Sequence, residues 1–126
     1  MMLPAVRQQF DRCAPWLQAA LDHAGRLTLD DVAARLEANT AALWPGERSV
    51  MVTELDDYGS GLREIHVWLG GGDLGELLTF QRERAEEQAR GWGCHRATIT
   101  GRPGWVRALK GHGYRVQSVT LAKDLI

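Results

Sequence analysis

Long apolar runs are missing from this 126-residue chain. Nothing approaches the roughly 20 consecutive apolar residues that cross a bilayer. The opening Met1-Met2-Leu3-Pro4-Ala5-Val6-Arg7 has no apolar signal core, so the expectation is a cytoplasmic protein with no membrane partner. Cysteine is scarce: Cys13 and Cys94 are far apart and fit no metal-ligand spacing. They read as two reduced, half-buried thiols rather than a bridge. Charge of one sign is also lacking, with a formal net charge of −1, which points to neither nucleic acid nor membrane. No histidine pair has zinc spacing, no Ser-His-Asp set is recognisable, and neither the Walker nor the Rossmann glycine spacing occurs. No metal is expected.

What is present is ordinary globular composition, 44% hydrophobic and 25% charged. A chain of this length buries one sizeable core, so residues 1–126 are expected to form a single domain. Tryptophan is frequent, with five residues spread along the chain (Trp16, Trp44, Trp68, Trp92, Trp105). Each is expected to anchor a different element to the core.

Periodicity orders the elements. Val6, Phe10, Cys13, Leu17, Leu21 and Ala24 recur at spacings of three and four, predicting a helix over residues 4–24 that Pro15 kinks or splits and Gly25 stops. Thr28 caps a second helix, expected over residues 29–43, with Leu29, Val32, Leu36 and Leu43 on its buried face. Residues 49–55 and 62–69 read as two strands joined by the turn-forming residues 56–61, hence a β-hairpin. Gly70, Gly71 and Gly72 are expected to break the second strand. Asp73 then caps the best amphipathic helix in the chain, carrying Leu74, Leu77, Leu78, Gln81, Ala85, Ala89 and Trp92 on one face. Residues 95–100 form a short strand, 102–111 a short helix and 114–122 a last strand. The order α-α-β-β-α-β-α-β implies an α/β protein with a mixed sheet and helices on both faces.

Three sets of residues are candidates for chemistry. Gly70, Gly71, Gly72 and Gly75 lie between a strand and a helix, where backbone N–H groups can approach a phosphate. Asp73 places a negative charge there, the loop holds no Lys or Arg, and three glycines also suit a plain sharp turn. Arg102, Arg107, Lys110 and Arg115 form a short basic stretch. An exposed helix face, with Trp105 and Leu109 turned to the core, explains it better than nucleic-acid binding does. The hairpin carries Glu54, Glu64 and His66, the last on one strand face with Glu64 and Trp68. Any of the three is a candidate general base, although a lone strand histidine is commonly structural.

The layout resembles the GNAT N-acetyltransferase fold: two N-terminal helices, a β-hairpin, then β-α-β-α-β. The sharpest piece is Leu109-Lys110-Gly111-His112-Gly113-Tyr114, similar to the family's helix end with its Gly-aromatic pair. The ending Thr120-Leu121-Ala122-Lys123-Asp124-Leu125 is also similar to GNAT chain ends. The resemblance covers roughly residues 48–126. It implies that the loop Gly70–Gly75 holds the pyrophosphate of CoA and that the cofactor lies between residues 62–69 and 95–100. It also implies departures. The family's acid tyrosine falls on Leu109, which has no proton to donate, and a family asparagine falls on Arg102, which cannot accept a hydrogen bond. The run Gly101-Arg102-Pro103-Gly104-Trp105-Val106-Arg107 is similar to GNAT-like proteins of tailed phages. The resulting expectation is a non-catalytic GNAT-like protein of the host cytoplasm or virion, acting through protein contacts, plausible virion components included, with no cofactor. The alternative is an acetyl-CoA-dependent N-acetyltransferase. An open V between the strands near Gly70 and His95 would leave room for CoA. A cleft filled by Trp68, Trp92 or Trp105 would close it.

Overall fold

Residues 2–126 are described by a computed structural model. Apolar residues at helical spacing form α1 (Pro4–Ala24), whose buried stripe is Phe10, Cys13, Leu17 and Leu21. Pro15 does not split it: the helix continues through that residue for 21 residues. The ring removes only one backbone donor, and the deep burial of Cys13 and Leu17 beside it holds both halves on the same core. Gly25 ends α1 in the left-handed region, as expected.

Helix α2 (Leu29–Glu37) starts with a reciprocal cap. The Asp31 N–H donates to the Thr28 hydroxyl and the Thr28 N–H donates to the Asp31 carboxylate. The Thr28 N–H and the Thr28 hydroxyl, both against the Asp31 carboxylate, hold that carboxyl below its ordinary value. The helix is shorter than residues 29–43. Asn39 takes a left-handed conformation, and both the N–H and the hydroxyl of Thr40 turn back to the Arg35 carbonyl. Leu43, expected on a helix face, instead belongs to β1 (Ala42–Pro45). Asn just past a helix is a stop signal of the same kind as glycine.

Strands β2 (Ser49–Asp57) and β3 (Arg63–Gly72) form the expected antiparallel hairpin. β1 pairs antiparallel with β2, and β3 pairs parallel with β4 (Arg96–Ile99), giving the order β1-β2-β3-β4 and the mixed sheet read from the sequence. The three glycines do not break β3. They remain in the ladder, Gly70 opposite Met51, Gly71 opposite Val50 and Gly72 opposite Ser49. Helical structure then runs through α3 (Leu74–Glu76), a π turn (Leu77–Gln81) and α4 (Arg82–Gly91), with Asp73 as its cap. Helix α5 (Gly104–Lys110) follows β4.

Residues 114–126 form no strand, contrary to the sequence expectation. Tyr114 donates to Glu86 and Arg96 donates to Gln117, but no backbone ladder joins this stretch to β4. Val116, Val119 and Leu121 are exposed. β-Branched composition supplies a preference for extended backbone, while a strand needs a partner edge.

The sheet separates two apolar clusters. Phe10, Cys13, Leu17, Val32, Val50, Val52 and Leu69 pack under α1 and α2. Trp44, Met51, Ile65, Val67, Leu77, Ala85 and Ala89 pack under α4. Trp44 meets Trp92 edge to face at 6.4 Å, and its ring N–H donates to the Thr53 hydroxyl at 2.8 Å.

Candidate functional site

The sheet changes character in the middle of β3. Thr53 pairs with Val67 and Val52 with Leu69, so Trp68 is an extra residue with no opposite number on β2. Such a bulge re-aims the side chains on either side of it. On the other edge, β4 accompanies β3 only from Glu64↔Arg96 to Val67↔Ile99. The Thr100 N–H still reaches the Val67 carbonyl at 3.3 Å, after which the chain departs toward α5. Residues 68–72 of β3 therefore extend past their neighbour, and their outer edge is not covered by β4. The two parallel strands part immediately beyond His66 and Val67.

The three candidate bases share the α1–α2 face of the sheet. His66 lies opposite Glu54 in the ladder, and Glu54 accepts from Arg35 of α2 at 2.7 Å. Arg35 also stacks over the Trp68 ring at 4.2 Å. Buried Glu64 accepts from Arg96 of β4 at 3.3 Å, and a hydrogen bond to Glu64 pushes the Tyr58 hydroxyl above its ordinary value. Both carboxylates are thus engaged by guanidinium groups. His66 is not. Its Nδ1 lies 2.7 Å from the Thr98 hydroxyl and its Nε2 lies 3.2 Å from the Thr100 hydroxyl. Sequence reasoning did not find Thr98 and Thr100. Their alternation along β4 was legible, but their pairing with His66 needed the parallel register.

The opposite face of the opening carries Trp105. A Cβ on Gly70 would sit 3.7 Å from its ring, and one on Gly101 would sit 3.0 Å from it. Trp105 is half-buried and reaches from Gly101 to Gly70, across this side of the gap between the two strands. Trp92 packs on Trp44, and Trp68 lies beneath Arg35. Leu109, at the position where the resemblance places an acid tyrosine, is buried, and Arg102 is exposed beyond β4.

The glycines meet protein on their bare sides. A Cβ on Gly71 would lie 2.5 Å from the Trp16 carbonyl oxygen, and one on Gly72 would strike the Arg48 carbonyl. Gly72 also has φ +96°, a conformation that favours glycine. The helix start that follows is partly occupied by carboxylates. Asp73 accepts from the Glu76 N–H at 2.8 Å. Glu76 accepts from the Ser49 hydroxyl at 2.5 Å and from the Arg48 N–H at 3.0 Å. The Ser49 bond, followed by the Arg48 bond, holds the Glu76 carboxyl below its ordinary value. An open groove of about 670 Å³ adjoins this point, lined by Arg48, Asp73, Gly75, Thr79, Phe80 and Arg84 among others. Among the described residues, no group of three His, Cys, Asp or Glu converges on a metal position, and no helix is long and apolar enough to cross a membrane.

No protein-family model matches the chain, and no curated protein matches it in sequence. Solved structures do match in fold. A predicted acetyltransferase from Clostridium acetobutylicum, solved with acetyl-CoA, superposes with a TM-score of 0.68 at 11% identity, covering 94% of this chain and 91% of that one. A probable acetyltransferase gives a TM-score of 0.66 at 15% identity, with 93% of each chain covered. Ribosomal-protein-alanine N-acetyltransferase from Brucella melitensis biovar Abortus 2308 gives 0.63 at 12% identity, with 94% of each covered. The chain has the GNAT acetyltransferase fold, as its layout resembled. These neighbours overturn the expectation of a non-catalytic, virion-associated protein acting through contacts. That expectation leaned on Leu109, Arg102 and the acidic glycine loop, and the three neighbours above carry acetyltransferase names on the same architecture.

Proposed function

We propose that the chain is an acetyl-CoA-dependent N-acetyltransferase. The observation that carries this reading is the parting of β3 and β4 beside His66, at the Trp68 bulge. An uncovered strand edge offers backbone N–H and C=O groups to an extended ligand that carries amides of its own. Acetyl-CoA supplies a thioester carbonyl that an amine can attack, together with such an amide-bearing arm. The edge of residues 68–72 would bind that arm, and Trp105 would give it an apolar wall.

The diphosphate belongs at the turn into α3, in the stretch Gly70–Gly75. The fit there is partial. Gly71 and Gly72 are committed to close packing against Trp16 and Arg48, and Asp73 and Glu76 bring negative charge. The start of the helical stretch favours an anion, and Arg48, exposed and paired with Glu76 at 3.7 Å, is a cation beside it. His66 is the base that removes a proton from the acceptor amine. Glu54 and Glu64 are already accepting from Arg35 and Arg96, and they shape the charge of the acceptor side instead.

Isothermal titration with acetyl-CoA and a thiol-release assay over a panel of amines test this reading. Micromolar binding and amine-dependent release of CoA are expected. Absence of both across the panel overturns it.

A further inference from the structure

His66 is held at both ring nitrogens by hydroxyls of the neighbouring strand, Thr98 at 2.7 Å and Thr100 at 3.2 Å. Alternation puts these two threonines on one face of the strand and its exit, and the pair His66↔Thr98 is the last but one before the strands part. Thr98 is therefore inside the paired region, whereas Thr100 is exposed at the opening. We infer that Thr100, His66 and Thr98 form a proton relay, in which Thr100 carries the acceptor proton to His66 and Thr98 fixes the orientation and tautomer of the ring. This inference rests on the acetyl-transfer reading above.

A neutral imidazole has one N–H and one bare nitrogen, and a hydroxyl can serve either. The relay assigns the N–H to Nδ1, donating to the Thr98 oxygen at 2.7 Å. Nε2 is then bare and accepts from the Thr100 hydroxyl. This is the tautomer a base needs, with its lone pair directed toward the opening. The groups around the ring suit the assignment. Glu54 on β2 is paired with Arg35 of α2, Glu64 on β3 is paired with Arg96 of β4, and Tyr58 leans on Glu64. The imidazole's hydrogen-bond partners are the two threonines and none of these groups.

The step balances. The amine nitrogen uses its lone pair to form the C–N bond to the acetyl carbon, and the C–S bond breaks with its electron pair leaving on sulfur. The proton shed by the nitrogen passes to the Thr100 oxygen as the Thr100 hydroxyl proton passes to His66 Nε2. Imidazolium then donates from both nitrogens, and both threonine oxygens accept, so the cage serves both charge states. The imidazolium proton returns to the thiolate, leaving amide and thiol.

Thr98 is a positioning residue, so its test needs a readout other than rate. Long-range ¹H–¹⁵N spectra of the full ligand-free chain should show His66 as the Nδ1–H tautomer. Thr98→Val should give a mixture of tautomers, and Thr98→Ser should restore the single form. In acetyl transfer, Thr100→Val should lower kcat about tenfold or more with unchanged acetyl-CoA affinity, and Thr100→Ser should recover most of it. An Nε2–H tautomer in the unmodified protein, or an unchanged kcat in Thr100→Val, overturns the relay alone. No binding of acetyl-CoA overturns the acetyl-transfer reading and takes the relay with it, which the titration reports separately from the spectra.

Discussion

The two halves of β3 obey different physics. Glu64 to Val67 has a strand on each side, a bracketed histidine and a buried carboxylate matched to an arginine. Residues 68–72 have a neighbour on one side only, begin with a bulge and end in glycines that fit against carbonyl oxygens. In the first half no buried side-chain nitrogen or oxygen lacks a hydrogen-bond partner. The second is exposed along one edge, yet its backbone is fixed by close packing against α1 and β2. A site that positions a base in one half and presents an open edge in the other needs both.

The largest effect should come from the first half. His66→Ala should lower kcat/KM for amine acetylation by about 100-fold or more, with the fold retained because the ring is only half-buried. An unaltered rate would place the base elsewhere. In the second half the loss should be of stability. Gly72→Val adds a Cβ onto the Arg48 carbonyl at φ +96°, and should cost about 3 kcal/mol or more in urea unfolding. Gly71→Ala, with its Cβ 2.5 Å from the Trp16 carbonyl oxygen, should cost about 1–3 kcal/mol. If both glycine variants unfold at the unmodified midpoint, the contrast between the halves is broken.

Smaller effects sharpen it. Trp44→Phe removes the donor to the Thr53 hydroxyl beneath the bulge, and should cost about 1 kcal/mol. Glu76 ties the start of α3 to Ser49, the partner of Gly72. Its folded carboxyl titrates below its ordinary 4.5. A depressed carboxyl stabilises the fold fully above the unfolded value, and this contribution is lost as pH falls through the folded one. Stability profiles should therefore show Glu76→Gln with a shallower decline below about pH 4.5 than the unmodified chain. Parallel profiles would remove Glu76 from the anchoring of this half.

Much of the fold was legible because its signals are local. The stripe of α1, the Thr28 cap, the β2–β3 hairpin and the Asp73 cap each follow from residues within a turn or two of one another. The errors came where a partner decides. Residues 42–45 read as the end of a helix but become a strand against β2. The glycines read as a break but stay in the ladder. Residues 114–122 have strand composition and no ladder. The π turn Leu77–Gln81 lay within a stretch whose apolar periodicity is that of an ordinary helix. Buried Gln81, which donates to the Trp44 carbonyl at 2.7 Å, ties that turn to β1. At the site, His66 was a candidate from strand alternation, whereas Thr98 and Thr100 were invisible. They lie more than thirty residues away and meet the ring only through the register of a parallel pair.

The amino-acid sequence by itself determined the main helical stretches and the β2–β3 hairpin, which of their faces are apolar and where helices are capped, because those preferences are set by neighbours along the chain. It also carried the likeness to an acetyltransferase layout. Only the tertiary structure decided that β3 outruns β4, that Trp68 bulges, that Glu54 and Glu64 are taken by arginines, and that His66 is held between two hydroxyls at the opening. Each of these depends on which edge meets which edge and in what register, and pairing between distant segments is settled by packing the whole sheet between its helices rather than by any one segment's propensity.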